Sequence, residues 1–96
     1  MSQSGLDENK IITITKALSH RDRLRIIKIL MEAEKPFHIK ALTELLKIDY
    51  PSMYKHIKML EKSGIVGIFV VGRSRVPYIK KKEELKKLLD DLVKLT

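Results

Sequence analysis

From Asn9 to Leu18 the apolar residues Ile11, Ile12, Ile14 and Leu18 recur among polar ones at helical spacing, which predicts an amphipathic helix behind a polar, frayed start from Met1 to Asp7. The run ALSHRDRLRIIKILMEAE follows. In it Ser19 stands three residues before Asp22, an acidic variant of the capping box, and Leu24, Ile27, Leu30 and Met31 fall on one face. A second helix is therefore predicted from about His20 to Ala33. Pro36 ends this pattern, because proline lacks an amide donor and disfavours helix in the residue before it. HIKALTELLKI opens a third helix with Ile39, Leu42, Leu45 and Leu46 inward.

In IDYPSMYKHIKML the residue types also predict where a helix starts. Asp49 suits the N-cap, and Tyr50 and Pro51 fall in the first turn, where a missing amide costs nothing. At 100° per residue Met53, Ile57 and Leu60 form a narrow inward stripe, while Pro51, Lys55, Lys58 and Lys62 lie opposite, flanked by Ser52 and Tyr54. Ser63 and Gly64 close this fourth helix, with Gly64 suited to a left-handed conformation. The period then changes. IVGIFVV from Ile65 to Val71, a GRS turn, and RVPYIK from Arg75 to Lys80 read as a β-hairpin, and Pro77 marks its strand as an edge. KKEELKKLLDDLVKLT ends the chain with Leu85, Leu88, Leu92 and Leu95 at the spacing of a helix that packs on another helix, and Glu83 and Glu84 suit its positive end.

Charge gives this outline a direction. Between Lys47 and Lys82 nine basic residues face two acids, so seven of the chain's net +8 charges fall in the fourth helix and hairpin. Such a local excess attracts a polyanion, nucleic acid being the commonest, although a solubilising surface has the same composition. The 96 residues suit one domain spanning 1–96, and no apolar run approaches the roughly 20 residues of a membrane span. The chain has no cysteine, which excludes a disulfide framework and a thiolate site, and its start lacks a secretory pattern. A cytoplasmic location is expected.

The fold class is thus mainly α with a small β-hairpin, in the order α-α-α-α-β-β-α, in which the third and fourth helices make a helix-turn-helix and the hairpin a wing. The major groove of DNA admits one helix and presents a distinct donor and acceptor pattern for each base pair. Ser52, Tyr54, Lys55 and His56 occupy the first two turns of the fourth helix, and Tyr50 and Lys58 extend the outward row toward bases or phosphates. Arg73 and Arg75 flank the hairpin tip with Ser74 between them, suited to phosphates or a narrow minor groove.

Three segments, ALSHRDRLRIIKIL, LTELLKIDYPSMYKHIKMLEKSGIV and GRSRVPYIK, together resemble the ArsR-type winged-helix transcriptional regulators. That pattern joins a leucine-serine-x-x-x-arginine helix, a helix-turn-helix ending in a serine-arginine-histidine-leucine-like run, and a glycine-arginine wing closing on tyrosine. The resemblance covers roughly Ala17 to Lys80. It implies a recognition helix at Tyr50–Lys62, a wing at Ile65–Lys80, and a homodimer paired through the first and last helices, residues 8–18 and 82–96. Ile11, Ile14, Leu85, Leu88, Leu92 and Leu95 would line that interface. Metal-sensing members carry a cysteine pair where this chain has LTELLKID, or Asp and His on the last helix, which here has Glu83, Glu84, Asp90 and Asp91 but no histidine. No metal and no cofactor is expected. Tyr54 stands where the family usually has serine.

His20 and His38 are read as surface or capping residues, His56 as either a support for its helix or a DNA contact, and Tyr78 as packing under the wing. There is no phosphate-binding glycine loop, no HExxH and no GxSxG, so an enzyme is excluded. The expected function is a homodimeric, sequence-specific regulator binding double-stranded DNA. A protein-interaction module of the same fold, or a non-specific chromatin or RNA-binding protein, are the alternatives.

Overall fold

The computed structural model describes residues 5–96. Of the polar start expected over Met1–Asp7, residues 1–4 lie outside the described residues. The elements run α1 (Glu8–Leu18), α2 (Arg21–Glu32), α3 (Ile39–Leu46), α4 (Tyr50–Lys62), β1 (Val66–Val71), β2 (Ser74–Ile79) and α5 (Lys82–Lys94), in the predicted order. Asp7 opens α1 by accepting from the Lys10 amide at 3.1 Å.

The start of α2 differs from the prediction. His20 is its N-cap, with Nδ1 accepting from the Asp22 amide at 3.0 Å. The Ser19 hydroxyl instead donates back to the Lys16 carbonyl at 2.9 Å and closes α1. A serine between two helices is within reach of both ends, and here the unpaired carbonyls of α1 take it. The face of α2 is also rotated from the predicted one. Arg23, Ile26, Ile27 and Leu30 are buried, whereas Leu24 is 42% exposed. Six of the twelve residues of this helix are apolar, so its pattern admits more than one stripe. In α1, Ala17 and Leu18 are buried and Ile11 and Ile12 exposed; in α3, Ile39 and Leu42 are buried while Leu45 faces outward.

The α3–α4 connection is three residues long. Lys47 takes the left-handed conformation at φ 57°, and both its amide and that of Ile48 turn back to the Thr43 carbonyl. Glycine would adopt this conformation without cost; lysine holds it at about 1 kcal/mol. Gly64, at φ 85°, ends α4 in the same way as predicted, its amide bonding to the Glu61 carbonyl and that of Ile65 to the Leu60 carbonyl.

β1 and β2 pair antiparallel from Val66↔Ile79 to Val71↔Ser74. Ser74 therefore belongs to a strand, and the turn is only Gly72 and Arg73. Gly72 has φ 61° and Arg73 has no positive φ, the pattern of a type II′ turn with glycine first. Val66, Val76 and Pro77 are buried, Val66 and Pro77 on one face of the ribbon and Val76 on the other. Tyr78 does not pack under the wing. It is 44% exposed and lies across Gly67, its register partner, where a Cβ would stand 2.5 Å from the ring. Ala17, Ile26, Ile27, Ile39, Leu42, Met53, Ile57, Leu60 and Val66 make one core. α5 joins it through buried Leu85 and half-buried Leu89, leaving Leu88, Leu92, Val93 and Leu95 exposed.

Candidate nucleic-acid interface

α4 positions the outward row because both of its ends and one of its faces are fixed. Asp49 Oδ1 accepts from the Ser52 amide at 2.8 Å, and Oδ2 accepts from the Ser52 hydroxyl at 3.0 Å. These two bonds hold the Asp49 carboxyl below its ordinary pKa. Met53, Ile57 and Leu60 are wholly buried, so the helix cannot turn about its axis. Tyr50, Pro51, Lys55 and Lys58 are then exposed, Ser52 is half-buried and spent on the cap, and Lys55 enters no ion pair among the described residues.

Tyr54 links this row to the wing. Its ring lies nearly parallel to that of Tyr50, with centroids 6.3 Å apart, and the Arg75 guanidinium stands 5.8 Å from its centroid. Lys58 Nζ approaches the same ring at 5.9 Å and Glu61 Oε1 at 2.6 Å; the Glu61 hydrogen bond raises the lysine above its ordinary value. Such cation–ring contacts contribute about 0.5–1 kcal/mol at exposed sites, enough to bias where Arg75 rests. Lys58 is partly neutralised within the chain, while Arg73 projects from the turn with no ion pair among the described residues. Ser74 is half-buried beside it.

His56 is not part of the outward row. Its side chain is 14% exposed and faces α2, where Nδ1 accepts from Arg23 Nη1 at 3.0 Å and Nε2 lies 3.9 Å from Asp22 Oδ2. Of the two roles open in the sequence, the geometry gives it the supporting one. Its partner Arg23 is the residue that sequence reasoning missed: a charged side chain only 9% exposed, with Nε donating to the Ala17 carbonyl at 2.7 Å and Nη2 to the Lys16 carbonyl at 3.1 Å. The one sequence signal for it is the terminal arginine of the leucine-serine-x-x-x-arginine run.

His20, Asp22 and His56 bring three metal-ligating atoms within 4.8 Å of one another. As these groups are held, however, the cluster is a hydrogen-bonded joint. An amide and a guanidinium only donate, so Nδ1 of both rings is an acceptor and each neutral ring carries its proton on Nε2. A cation would require these bonds to break or the tautomers to reverse, beside the positive charge of Arg23. Metal-bound imidazoles have the opposite support, donating their second nitrogen to a carboxylate or carbonyl.

The joint sets a pH dependence. Burial, followed by His20 and Arg23, pushes His56 below its ordinary value of 6.5, with Asp22 opposing. The unfolded chain takes up this proton at the ordinary value and the folded chain only at lower pH. The contribution of His56 is therefore complete above pH 6.5 and is lost as pH falls from there through the lowered folded value. Urea midpoints measured from pH 7.5 to 5 are expected to fall in that window, and less so for His56→Asn. Equal pH slopes for the two proteins would contradict the assignment.

Residues 18–66, about half of the chain, match the family model described as Helix-turn-helix domain. The chain belongs to this helix-turn-helix family. This is a family of DNA-binding regulator domains rather than of enzymes. The match spans α2 through the start of β1 and includes the whole α3–α4 unit. No curated protein matches the chain in sequence.

Among solved structures, an ArsR family transcriptional regulator is 25% identical, with a TM-score of 0.73, covering 94% of this chain and 93% of its own. HlyU from Vibrio cholerae is 18% identical with a TM-score of 0.73, covering 96% and 97%. A homodimeric winged helix-turn-helix DNA-binding domain from Mycobacterium bovis is 16% identical with a TM-score of 0.79, covering 96% and 91%. The helix-turn-helix protein thus has the winged fold of ArsR-like transcriptional regulators, as the sequence resemblance implies. No helix among its described residues is long and apolar enough to cross a membrane.

Proposed function

We propose that the protein is a homodimeric, sequence-specific regulator of transcription that binds double-stranded DNA in the cytoplasm. In this reading α4 enters the major groove and the hairpin lies on the backbone or in the minor groove. The observation that carries it is the division of α4. Met53, Ile57 and Leu60 are fully buried, while Tyr50, Tyr54, Lys55 and Lys58 share a side with the wing's Arg75. One rigid helix therefore offers a polar, basic row beside a second basic element, the combination that groove docking requires. Pairing through α1 and α5 is supported by exposed Ile11, Leu88, Leu92 and Leu95 and by the homodimeric Mycobacterium bovis neighbour, while Ile14 packs half-buried against the protomer's own core. Leu85 serves the protomer's own core in this arrangement.

Selection of bound sites from random duplex DNA tests the reading. A twofold site is expected, with half-sites about one helical turn, roughly 34 Å, apart. Binding without preference would favour a chromatin role, and absence of binding a protein-interaction role. On the selected site, Arg73→Ala is expected to flatten the plot of log affinity against log salt by about 0.9 for each phosphate that the arginine neutralises in the wild type. Lys55→Ala is expected to weaken binding by about 1–3 kcal/mol if it reads a base edge, with relaxed preference there. Unchanged affinity in both variants would remove α4 and the wing from the interface.

A further inference from the structure

Arg23 lies on α2, yet its guanidinium is spent on two other helices. Nε and Nη2 donate to the Ala17 and Lys16 carbonyls at the end of α1, and Nη1 donates to His56 on α4. Carbonyls in the last turn of a helix lack partners within it and carry its negative pole, so the cation suits that end. The acceptor on the other side is an imidazole nitrogen whose lone pair points in one direction. Because guanidinium donors lie in one rigid plane, these three bonds together specify how α4 is tilted against α1. α1 carries part of the proposed dimer seam and α4 the proposed reading surface.

We propose that Arg23 is a positioning residue that fixes the angle between the dimerisation helix and the recognition helix, and thereby the half-site spacing that two copies accept. The proposal rests on the reading of the protein as a twofold DNA binder. The leverage is large enough to matter. α4, with 13 residues, is about 20 Å long. A tilt of about 10° across that length moves its end by about 3.5 Å, close to the 3.4 Å rise of one base pair. Loosening the joint therefore blurs spacing while each helix still presents the same side chains.

The test uses the full chain and the selected twofold site, together with versions in which the half-sites are one base pair closer or farther, an isolated half-site and a random duplex. The wild type is expected to prefer the selected spacing by at least about tenfold. Arg23→Lys keeps the charge without the planar fork, and His56→Leu removes the acceptor. Both are expected to cut that preference to about threefold or less, with isolated half-site binding within about twofold of wild type. His56→Asn, whose Oδ1 stands where Nδ1 stands, should accept from Arg23 and restore the preference. A purely structural role for the joint predicts equal loss on every DNA, including the isolated half-site.

Circular dichroism reports folding, and if Arg23→Lys unfolds, the contrast between His56→Leu and His56→Asn decides alone. Folded variants that keep the full spacing preference, equal losses on all DNAs, or failure of His56→Asn to restore the preference would overturn the proposal. A wild type that binds its selected site but tolerates every spacing overturns the proposal and leaves the DNA reading standing. A wild type with no preferred duplex overturns both.

Discussion

The double substitution Leu88→Glu with Leu92→Glu is expected to yield a folded monomer that binds the twofold site at least about a hundredfold more weakly. Both leucines lie on the exposed side of α5, at 41% and 42% exposure, while α5 is anchored to its own protomer by Leu85 and Leu89. Fully burying a leucine contributes about 1.5–3 kcal/mol; each of these has about two-fifths of its surface left to bury between copies, and a twofold seam uses each position twice. The four leucines removed thus take away a few kcal/mol of the surplus that holds the pair together, and the carboxylates introduced would face one another across the seam. A monomer must hold each half-site separately and forgoes the gain of tethering, commonly 10²–10⁴-fold. Light scattering reports the mass, and binding to an isolated half-site should change little. A variant that stays dimeric would place the seam elsewhere.

Ile57→Ala should cost about 2–5 kcal/mol of stability, a large share of the 5–15 kcal/mol typical of a domain. Ile57 is wholly buried between Met53 and Leu60 on the inner side of α4, so its truncation leaves a cavity that the fixed neighbours close only in part. Two residues away, Lys55 is exposed, and its replacement by alanine should leave stability within about 0.5 kcal/mol. Urea denaturation of the two variants separates the helix into a face that holds the fold and a face that does not. A loss below about 1 kcal/mol for Ile57→Ala would contradict the packing described.

The inner stripe of α4 was legible because its apolar residues are few and keep strict helical spacing, so only one face can be buried. α2 was less legible for the opposite reason. Leu24, Ile26, Ile27, Ile29, Leu30 and Met31 cover so much of its surface that the tertiary partners, rather than the period, choose among stripes. Arg23 could not be placed from its own surroundings, since a charged residue in a helix ordinarily faces water and its acceptor, His56, is 33 residues away. Tyr54 was obscure on the same ground. It sits half-buried at the flank of the inner stripe, and Arg75, which lies over its ring, arrives from the wing 21 positions later. The outline of the interface was visible in charge and spacing; the contacts that orient it join side chains far apart in the chain.

The two-residue turn of the hairpin constrains how this protein can diversify. With only Gly72 and Arg73 between paired strands, there is no slack in which an insertion can be absorbed. Adding one residue to each strand would carry the tip arginine to the opposite face of the ribbon, because side chains alternate along a strand. Only a gain or loss of two residues in each strand keeps its direction, and each such step moves the tip by about 7 Å. The reach of the wing can therefore change in discrete increments, each about two base pairs long, and relatives that grasp DNA farther out are expected to differ in hairpin length by multiples of four residues.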